Sequence, residues 1–531
     1  MAEISVNFLI LSTIFLPFIM AIFIIGLKKW LKGFSGEIAA GGIIANIMIL
    51  AALYYRIKNG SGALFGFYKT VLGAEFSAPS GVQFKVDGFT SIFLLVLNII
   101  VVLILFYESV KQRGKAEGPI YIGLILFLVT GINASVLAND FFTTLLGWII
   151  IGISLITLIA FQKRQEDLRE GGMRAFILIS LSVVFILTAV ILCYGLFGTL
   201  NYDYIHDDVV LLNSERITTD AKAIIYLIIA LTIVGFGLLA NIFMLNLWMP
   251  NAIEKSSAST QVFSVGIVSG LALLSIFKVL FSFFDTTQMT IINYPLILAI
   301  IGLMTALEGV LVLVYQVTRK DKENITLSKI IIYTIFVNIG VILTGISIGG
   351  MVNSGTEETL FSVKECFGYS ILQIINIGIT SFLAFIAKDN LMIKRNRSEK
   401  LIDLRGVGRE YPLTTFNLIV GLASMIGLLP MFGGVNLYML LFTLIQLNYI
   451  SYTIIIIFIL VLMLISYLVV IKYLLFDKPD QDSTLISGGL SQDVSMTSII
   501  GTIVALGLII LGLIPSLIGK SIIENAYLLI P

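Results

Sequence analysis

A few ionisable side chains interrupt a sequence that is otherwise apolar over long runs. Glu308 lies in GLMTALEGVLVLVYQ, and Lys278 lies in LLSIFKVLFSFF. Glu254 and Lys255 stand together in MPNAIEKSS, shortly after Pro250. A charge in the middle of a bilayer costs about 2.5–3.5 kcal/mol on insertion scales, so such a group is usually kept for a use. The chemistry that these residues could perform is the transfer of protons or cations across a membrane.

Each charge also has a structural interpretation. Glu308 lies close to a basic loop, so a cation across a helix interface is as consistent with the sequence as a relay. Lys278 lies near the end of its apolar run, where a lysine can extend its charge to the membrane surface, and we favour anchoring. Glu254 and Lys255 could line a vestibule or cap a half-helix, and we favour capping.

Neutral polar side chains could extend an ion path by ordering water. The candidates are Asn246, Asn338, Asn376, Thr380, Ser381 and Asn436. In membrane helices such side chains more often form a hydrogen bond to a neighbouring helix, worth about 0.6 kcal/mol each. Both interpretations stay open at the level of the sequence.

The composition excludes a soluble globular protein. Of 531 residues, 58% are hydrophobic and 12% are charged, and the net charge is +1. A polytopic membrane protein exposes such an apolar fraction to lipid. The near-neutral charge gives no basic field for nucleic acid. Cys193, Cys366 and the single histidine, His206, are too few for a disulfide framework, a cysteine-based metal site or bis-histidine haem ligation, so we expect no metal and no cofactor.

Fourteen apolar runs are long enough to span a membrane, which takes about 20 residues. They lie near 6–27, 37–55, 88–110, 119–137, 141–162, 173–197, 222–247, 258–284, 291–316, 326–348, 361–387, 411–448, 452–475 and 495–518. The twelfth run is overlong and interrupted, which indicates one crossing in two pieces. Most of the chain's 33 lysines and arginines follow odd-numbered runs, including the loop predicted from Lys388 to Arg409. The positive-inside rule therefore predicts a multi-pass protein of the cell's inner or plasma membrane, with both termini on the outer side.

Two interruptions of the apolar pattern, at 247–260 and 427–436, contain Pro250 and Pro430. Discontinuous helices are tolerated in a membrane where the freed backbone groups face protein or a water-filled cavity. Paired interruptions indicate inverted repeats, although proline and glycine could also merely kink long helices. We expect an all-α integral membrane protein of about fourteen transmembrane helices in a single domain. Its expected parts are helices 1–3 at 6–110, two inverted five-helix repeats at about 119–284 and 291–475, and helix 14 at 495–518.

Several stretches, in order along residues 85 to 520, resemble one family of membrane proteins. They are VDGFTSIFLLVLN at 86–98, ANDFFTTLLGWIIIG at 138–152, GFGLLANIFMLNLWMPNAIEKSSAST at 235–260, LEGVLVLVYQVTRKDKENITLSKIIIYTIFVNIGVILTG at 307–345 and LIDLRGVGREYPLTTFNLIVGLASMIGLLPMFGG at 401–434. The family comprises the antiporter-like subunits of respiratory complex I (NADH:quinone oxidoreductase), Mrp-type cation/proton antiporters and membrane-bound energy-converting hydrogenases. The resemblance implies translocation of protons or sodium ions in a complex with other membrane subunits, surrounded by lipid.

The resemblance also implies a row of ionisable relay residues along the membrane midplane, and this sequence departs from it. Apolar residues stand at four of the family's relay positions, namely Ile149, Leu239, Gly270 and Leu437. A charge at mid-bilayer is retained only for use, so an unused relay position is better filled by an apolar residue. The sequence therefore favours a chain that keeps the scaffold and has lost the relay.

Several functional hypotheses follow. The first is an antiporter-like integral subunit, degenerate in its own relay, that acts as scaffold or coupling element. The second is a subunit that still translocates protons or cations through ordered water and residual polar groups: Glu308, Lys278, Glu254, Lys255, Asn376 and Thr380. A redox or quinone-reducing enzyme is a third, although no metal, haem, flavin or dinucleotide motif supports a catalytic centre. An independent secondary transporter is disfavoured by Leu239 and Gly270.

Overall fold

The described part of the chain is almost entirely helical. A computed structural model describes residues 2–58, 63–66, 82–161, 166–202, 204–205, 219–246, 248–284, 293–319, 325–352, 357–394, 398–477, 493, 495–515, 519 and 522–523. His206 lies outside the described residues. Strand β1, Ala63–Gly66, pairs antiparallel with β2, Gln83–Val86.

Eighteen α-helices are numbered in chain order over these described residues. They are α1 Ala2–Gly26, α2 Ser35–Lys58, α3 Gly88–Lys111, α4 Gly118–Leu137, α5 Phe141–Ile159, α6 Glu166–Phe197, α7 Thr219–Ala240, α8 Met249–Ile253, α9 Ala258–Gln261, α10 Ser269–Phe283, α11 Tyr294–Thr318, α12 Leu327–Met351, α13 Glu357–Lys394, α14 Val407–Glu410, α15 Pro412–Ile426, α16 Phe432–Gln446, α17 Ile450–Ile471 and α18 Met496–Leu513. A π-helix, Val262–Val268, joins α9 to α10, and a second, Lys472–Phe476, extends α17.

The all-α membrane fold is confirmed. Within the described residues, thirteen helical segments are long and apolar enough to cross a membrane, with α9 and α10 counted as one segment. Two shorter apolar helices, α15 and α16, occupy the predicted twelfth run, which is therefore built in two pieces. The inverted repeats and the single-domain organisation stay predictions.

The chain divides into two compact units. Unit 1 comprises Met1–Ala240, Leu271–Tyr294 and Glu524–Pro531, and unit 2 comprises Asn241–Gly270 and Pro295–Ile523. Buried amides connect the first helices of unit 1. Asn98 of α3 contacts Asn46 of α2 and Asn133 of α4 through hydrogen bonds of 3.4 and 3.3 Å. Such bonds satisfy groups that lipid cannot, and they hold α2, α3 and α4 together.

Acidic residues begin two helices of unit 1. The Asp87 carboxylate accepts a hydrogen bond of 2.7 Å from the Thr90 backbone N–H, and the Thr90 hydroxyl accepts one of 2.9 Å from the Asp87 N–H. This reciprocal pair is a capping box for α3. The Asp140 carboxylate accepts from the Thr143 N–H at 2.6 Å and begins α5 in the same way. Asp87, which stands where the resembled family also has an acidic residue, thus caps the start of α3.

In unit 2, α11 packs closely against α12 through small residues. A Cβ added at Gly340 of α12 would overlap the Ala306 backbone nitrogen and approach the Gly302 carbonyl oxygen to 2.5 Å. Small residues allow two membrane helices to approach until their backbones are in contact. One face of α11 is therefore fixed against α12.

The first helix break begins earlier than predicted. The irregular backbone starts at Asn241, not at residue 247, and Asn241 and Met244 adopt left-handed conformations with φ of 60° and 65°. The Asn241 side chain donates to the Ser269 hydroxyl at 2.7 Å, which stabilises this conformation. Pro250 lies in the first turn of the short helix α8, where its missing N–H is tolerated.

Candidate functional site

Three of the four positions that the family resemblance assigns to the relay are buried, and the fourth is half-buried. Leu239 and Leu437 are 3% and 2% exposed, and Ile149 is half-buried. A Cβ at Gly270 would lie 2.7 Å from Cγ2 of Ile374, so the space beside this glycine is already filled. A longer charged side chain at any of the three buried positions would have to displace its neighbours.

Trp148, the residue before Ile149, nevertheless contacts two other helices of unit 1. The Trp148 indole donates from Nε1 to the Ser275 hydroxyl of α10 at 3.1 Å. Its ring meets the Phe236 ring of α7 edge to face, with centroids 5.6 Å apart. The tryptophan therefore joins three helices without an ionisable neighbour at position 149.

Lys278 is held by backbone carbonyls. Its Nζ donates to the Val136 carbonyl at 2.8 Å and to the Ala138 carbonyl at 2.5 Å, and it lies 5.9 Å from the centre of the Tyr202 ring. Because α4 ends at Leu137, the ammonium group lies at the negative end of that helix dipole. This position supports the anchoring interpretation over a relay.

Glu254 and Lys255 have separate environments. Glu254 accepts from the Thr326 hydroxyl at 2.5 Å and forms a salt bridge of 3.2 Å with Lys329. Thr326 is the N-cap of α12 and Lys329 lies in its first turn, so the carboxylate lies at the positive end of α12. Lys255 is exposed. Glu254 therefore has structural partners at the start of α12, a helix distant in sequence.

A buried lysine lies where the sequence predicted a loop. Helix α13 continues to Lys394, so Lys388 belongs to the helix, and its side chain is 2% exposed. Its Nζ donates to Oε1 of Gln261 at 2.7 Å and to the Ser328 hydroxyl at 2.8 Å, and it lies 3.8 Å from a Glu399 carboxylate oxygen. The prediction that the basic loop begins at Lys388 is wrong, because polar side chains from other elements allow the helix to bury its charged end.

Gln261 connects this lysine to the first helix break. Its side-chain amide donates to the carbonyls of Ile253 and Glu254 at 2.9 and 2.7 Å, at the end of α8. The π-helix Val262–Val268 follows directly. π-Helical turns are frequent at functional sites. Lys388, Gln261 and the Glu254 backbone thus form one continuous polar cluster in unit 2.

Helix α13 carries a stripe of buried polar side chains that ends at Lys388. The members are Ser370, Gln373, Asn376, Thr380, Ser381 and Lys388. We call this set the polar stripe. Gln373 has a neutral partner: it donates to Oδ1 of Asn338 at 2.8 Å, and Asn338 donates to the Met425 carbonyl at 2.9 Å. Helical spacing could have placed Lys388 on this face, two turns after Thr380.

The polar stripe also contacts the second helix break. Helix α15 ends at Ile426, the following Gly427 has a φ of 89°, and Pro430 lies in the turn before α16. The Ser424 hydroxyl donates to Oδ1 of Asn376 at 2.8 Å and accepts from the Gly433 N–H at 3.1 Å. Ser424 therefore connects the two sides of the break, and Asn376 holds Ser424 in place, which is a structural role for one predicted path residue.

Glu308 lies beside the first break and is half-buried. Asn246, which is 2% exposed, donates from Nδ2 to Oε2 of Glu308 at 3.1 Å. Among the residues that the structure describes, no lysine or arginine forms a salt bridge with Glu308. The described residues also contain no group of three or more His, Cys, Asp or Glu side chains placed to hold a metal ion.

Asp493 joins the end of α13 to the start of α15. Its carboxylate contacts the Lys394 ammonium at 2.5 Å and accepts from the backbone N–H groups of Leu413 and Thr414 at 2.6 and 3.0 Å. Burial alone would raise the pKa of Asp493, but hydrogen bonds from Lys394 and Thr414 outweigh it and lower the pKa below its usual value.

The lowered pKa of Asp493 predicts how the stability of the folded chain depends on pH. The ionised carboxylate stabilises the folded chain at neutral pH, and this contribution should be lost as the pH falls through the lowered pKa. Thermal unfolding in lipid nanodiscs should therefore show a drop in the unfolding temperature on acidification that Asp493→Asn largely removes. Equal acid sensitivity of the variant and the wild type would contradict the assignment.

Comparison with known proteins places this arrangement in a family. Residues 138–466 match the family model described as NADH:quinone oxidoreductase/Mrp antiporter, TM. NADH-quinone oxidoreductase subunit N of Nitrosomonas europaea is 23% identical over 462 residues, covering 85% of this chain and 86% of that protein. The subunit of the same name from Desulforamulus reducens is 24% identical, covering 91% and 93%.

Solved structures share the fold across the whole chain. A chain of an archaeal membrane-bound sulfane sulfur reductase superposes with a TM-score of 0.78 at 18% identity, covering 98% of this chain and 97% of that one. A chain of the Mrp complex of a Dietzia species gives 0.78 at 16% identity, covering 99% and 98%. A chain of respiratory complex I from Thermus thermophilus gives 0.69 at 16% identity, covering 96% and 98%. Since the family model spans more than half of its residues, this chain belongs to the NADH:quinone oxidoreductase/Mrp antiporter family of membrane proteins.

Proposed function

We propose that this antiporter-like chain is a subunit of a multisubunit ion-translocating complex and acts there mainly as a scaffold or coupling element. The complex would be respiratory, hydrogenase-type or Mrp-like. The observation that carries the proposal is the packing at the relay positions, where Leu239 and Leu437 are almost fully buried and Ile374 fills the space beside Gly270. A proton relay needs groups that titrate near the working pH, or water ordered between them. Buried leucine supplies neither.

The remaining charges support the same proposal. Lys278 is held by the carbonyls that end α4, and Glu254 accepts from the Thr326 hydroxyl at the start of α12. A lysine at the end of one helix and a carboxylate at the start of another stabilise helix dipoles. These side chains therefore have structural partners that account for their retention without ion transfer.

A second candidate function is ion translocation through unit 2, and the polar stripe favours it. The stripe runs from Ser370 to Lys388 and contacts both helix breaks, so water bound along it could connect the two irregular segments. Lys388 would be its charged group. In this candidate the chain still translocates ions, but the ions pass along the polar stripe and not along the family's relay positions.

Hydration of the polar stripe separates the two candidates. Radiolytic labelling by bulk and bound water can be measured at Met425, which is fully buried and whose carbonyl accepts from Asn338. The scaffold proposal expects Met425 to be labelled as slowly as buried Met463 of α17. Labelling of Met425 much faster than that of Met463 would favour a water file and the second candidate.

The partners would be other membrane subunits, within the cell's inner or plasma membrane and with both termini on the outer side. The relatives named as NADH-quinone oxidoreductase subunits and the structural neighbours taken from membrane complexes support the partners. The lysines and arginines that follow odd-numbered apolar runs support the orientation of the termini. The chain would have no cofactor or catalytic centre of its own, even where the complex is an oxidoreductase. The test is mild-detergent purification of the tagged chain from its native membrane. Recovery of the wild-type chain alone would overturn the proposal of a complex.

A further inference from the structure

One face of α11 is apolar and exposed along its whole length. The exposed side chains are Ile297, Ile300, Met304, Leu311 and Tyr315, at 46%, 49%, 40%, 60% and 61%. Their spacing of three, four or seven residues places them in one stripe, opposite the face that packs on α12. We call this stripe the α11 face.

Glu308 interrupts the α11 face near mid-membrane. It lies four residues after Met304 and three before Leu311, which is the spacing of neighbours on a helix surface. At 1.5 Å per residue, it is about 21 Å from the start of α11 at Tyr294 and about 15 Å from its end at Thr318. The carboxylate is therefore close to the centre of an apolar surface.

The Glu308 carboxylate has room for a further donor. Asn246, which is buried, donates one amide N–H to it at 3.1 Å. No described lysine or arginine forms a salt bridge with Glu308, and its side chain is only half-buried. An ammonium or guanidinium group from outside the chain, which carries several donors, could therefore pair with the carboxylate.

The energetics favour a protein partner over lipid at this position. A carboxylate that faces lipid tails costs several kcal/mol, and a leucine there would be cheaper. A second copy of this chain that docked through the same face would bring two Glu308 carboxylates together, which is unfavourable. A basic side chain from a different subunit gives the charge complementarity that the face lacks.

We propose that the α11 face binds a transmembrane helix of another subunit, and that this helix carries a lysine or arginine that pairs with Glu308. The inference rests on the proposed function, because it requires that the chain works in a complex. The apolar side chains of the face pack against the partner helix, and the ion pair fixes its depth.

The first test is site-specific photo-crosslinking in the native membrane. A photoreactive side chain at Leu311 should crosslink to one membrane subunit near a lysine or arginine. The matched control is Phe458 of α17, which is 57% exposed on a different helix and should not crosslink to that subunit at that site. Crosslinks from Leu311 to lipid alone, or to a second copy of this chain, would overturn the inference.

The second test replaces the charge. Glu308→Leu and Glu308→Lys should each lower recovery of the crosslinked subunit by at least about tenfold, because a buried charge on the partner loses its pair. If Glu308 instead faced lipid, Glu308→Leu would leave the recovery of that subunit unchanged or raise it. Exchange of the partner's basic residue for glutamate should restore binding to Glu308→Lys.

The outcomes separate this inference from the proposed function. If the wild-type chain carries no membrane subunit through purification, the proposed complex fails. If the wild type and both Glu308 variants retain the same subunits equally, the complex stands and only the assignment of the α11 face fails. The isolated Glu308→Leu chain should still unfold cooperatively, with only the modest loss of stability expected from removal of the hydrogen bond with Asn246. Cooperative unfolding separates lost binding from misfolding.

Discussion

Replacement of Lys388 by methionine should lower the free energy of unfolding by about 3 kcal/mol, because the change removes one partner from a buried, charged network. Methionine has a similar length and is apolar, so it fills the space but donates no hydrogen bond. Gln261 and Ser328 then lose the ammonium that contacts them at 2.7 and 2.8 Å. Glu399 loses the cation 3.8 Å from its carboxylate.

The measurement is thermal or denaturant unfolding of the purified chain in lipid nanodiscs. Lys400→Met is the matched control, since Lys400 is exposed and lies near Glu399 in sequence. The control should differ little from the wild type, because exposed charges contribute little to stability. Equal stability of the Lys388 and Lys400 variants would show that the buried cluster does not hold the end of α13.

The second large effect is expected at the second helix break. A Cβ at Gly433 would overlap the Ser424 carbonyl oxygen and the side chain of Asn376. Both lie in the packed junction of α13, α15 and α16, where neither backbone nor a hydrogen-bonded amide can yield easily. Gly433→Ala should therefore cost at least about 3 kcal/mol, at the upper end of the range for overpacking.

Gly507→Ala in α18 is the control for this change. A Cβ at Gly507 meets no atom within 4 Å, so the variant should be as stable as the wild type or slightly more stable, given the helix propensity of alanine. The yield of monodisperse protein after detergent extraction measures both variants. A Gly433→Ala chain recovered as well as Gly507→Ala would contradict the close approach of α16 to α15.

The sequence predicts the membrane helices well because their signal is additive. Each spanning helix sums the apolar character of about 20 residues, so one polar side chain does not hide it. The twelfth run, at 411–448, was predicted in two pieces, and α15 and α16 confirm it. The family resemblance added the particular family to which this fold belongs, which neither hydropathy nor spacing could supply.

The first helix break could not be placed correctly from the sequence. Its start depends on left-handed backbone at Asn241 and Met244, and methionine carries no local preference for that conformation. Contacts with distant residues compensate, since the Phe243 N–H donates to the Thr305 hydroxyl at 2.8 Å. Hydropathy does not report such tertiary contacts.

Lys388 was misplaced for a related reason. A lysine followed by aspartate and asparagine ends a hydropathic run, yet the helix continues because Gln261 and Ser328 satisfy the charge inside the protein. Hydropathy treats each residue as facing an average environment. The partners of a buried charge come from elements far away in sequence, so only the folded chain reveals them.

The central claim is that this chain keeps an ion-translocating fold without using its own relay. Its most direct test is the number of ions that the purified complex moves per turnover in sealed vesicles, with Lys388→Gln in place of the wild type and normalised to assembled complex. Glutamine keeps a hydrogen-bond donor for Gln261 and Ser328 but cannot carry a proton charge. An unchanged number of ions per turnover is predicted. A clear fall in that number, with assembly intact, would show that the polar stripe conducts and would contradict the scaffold account.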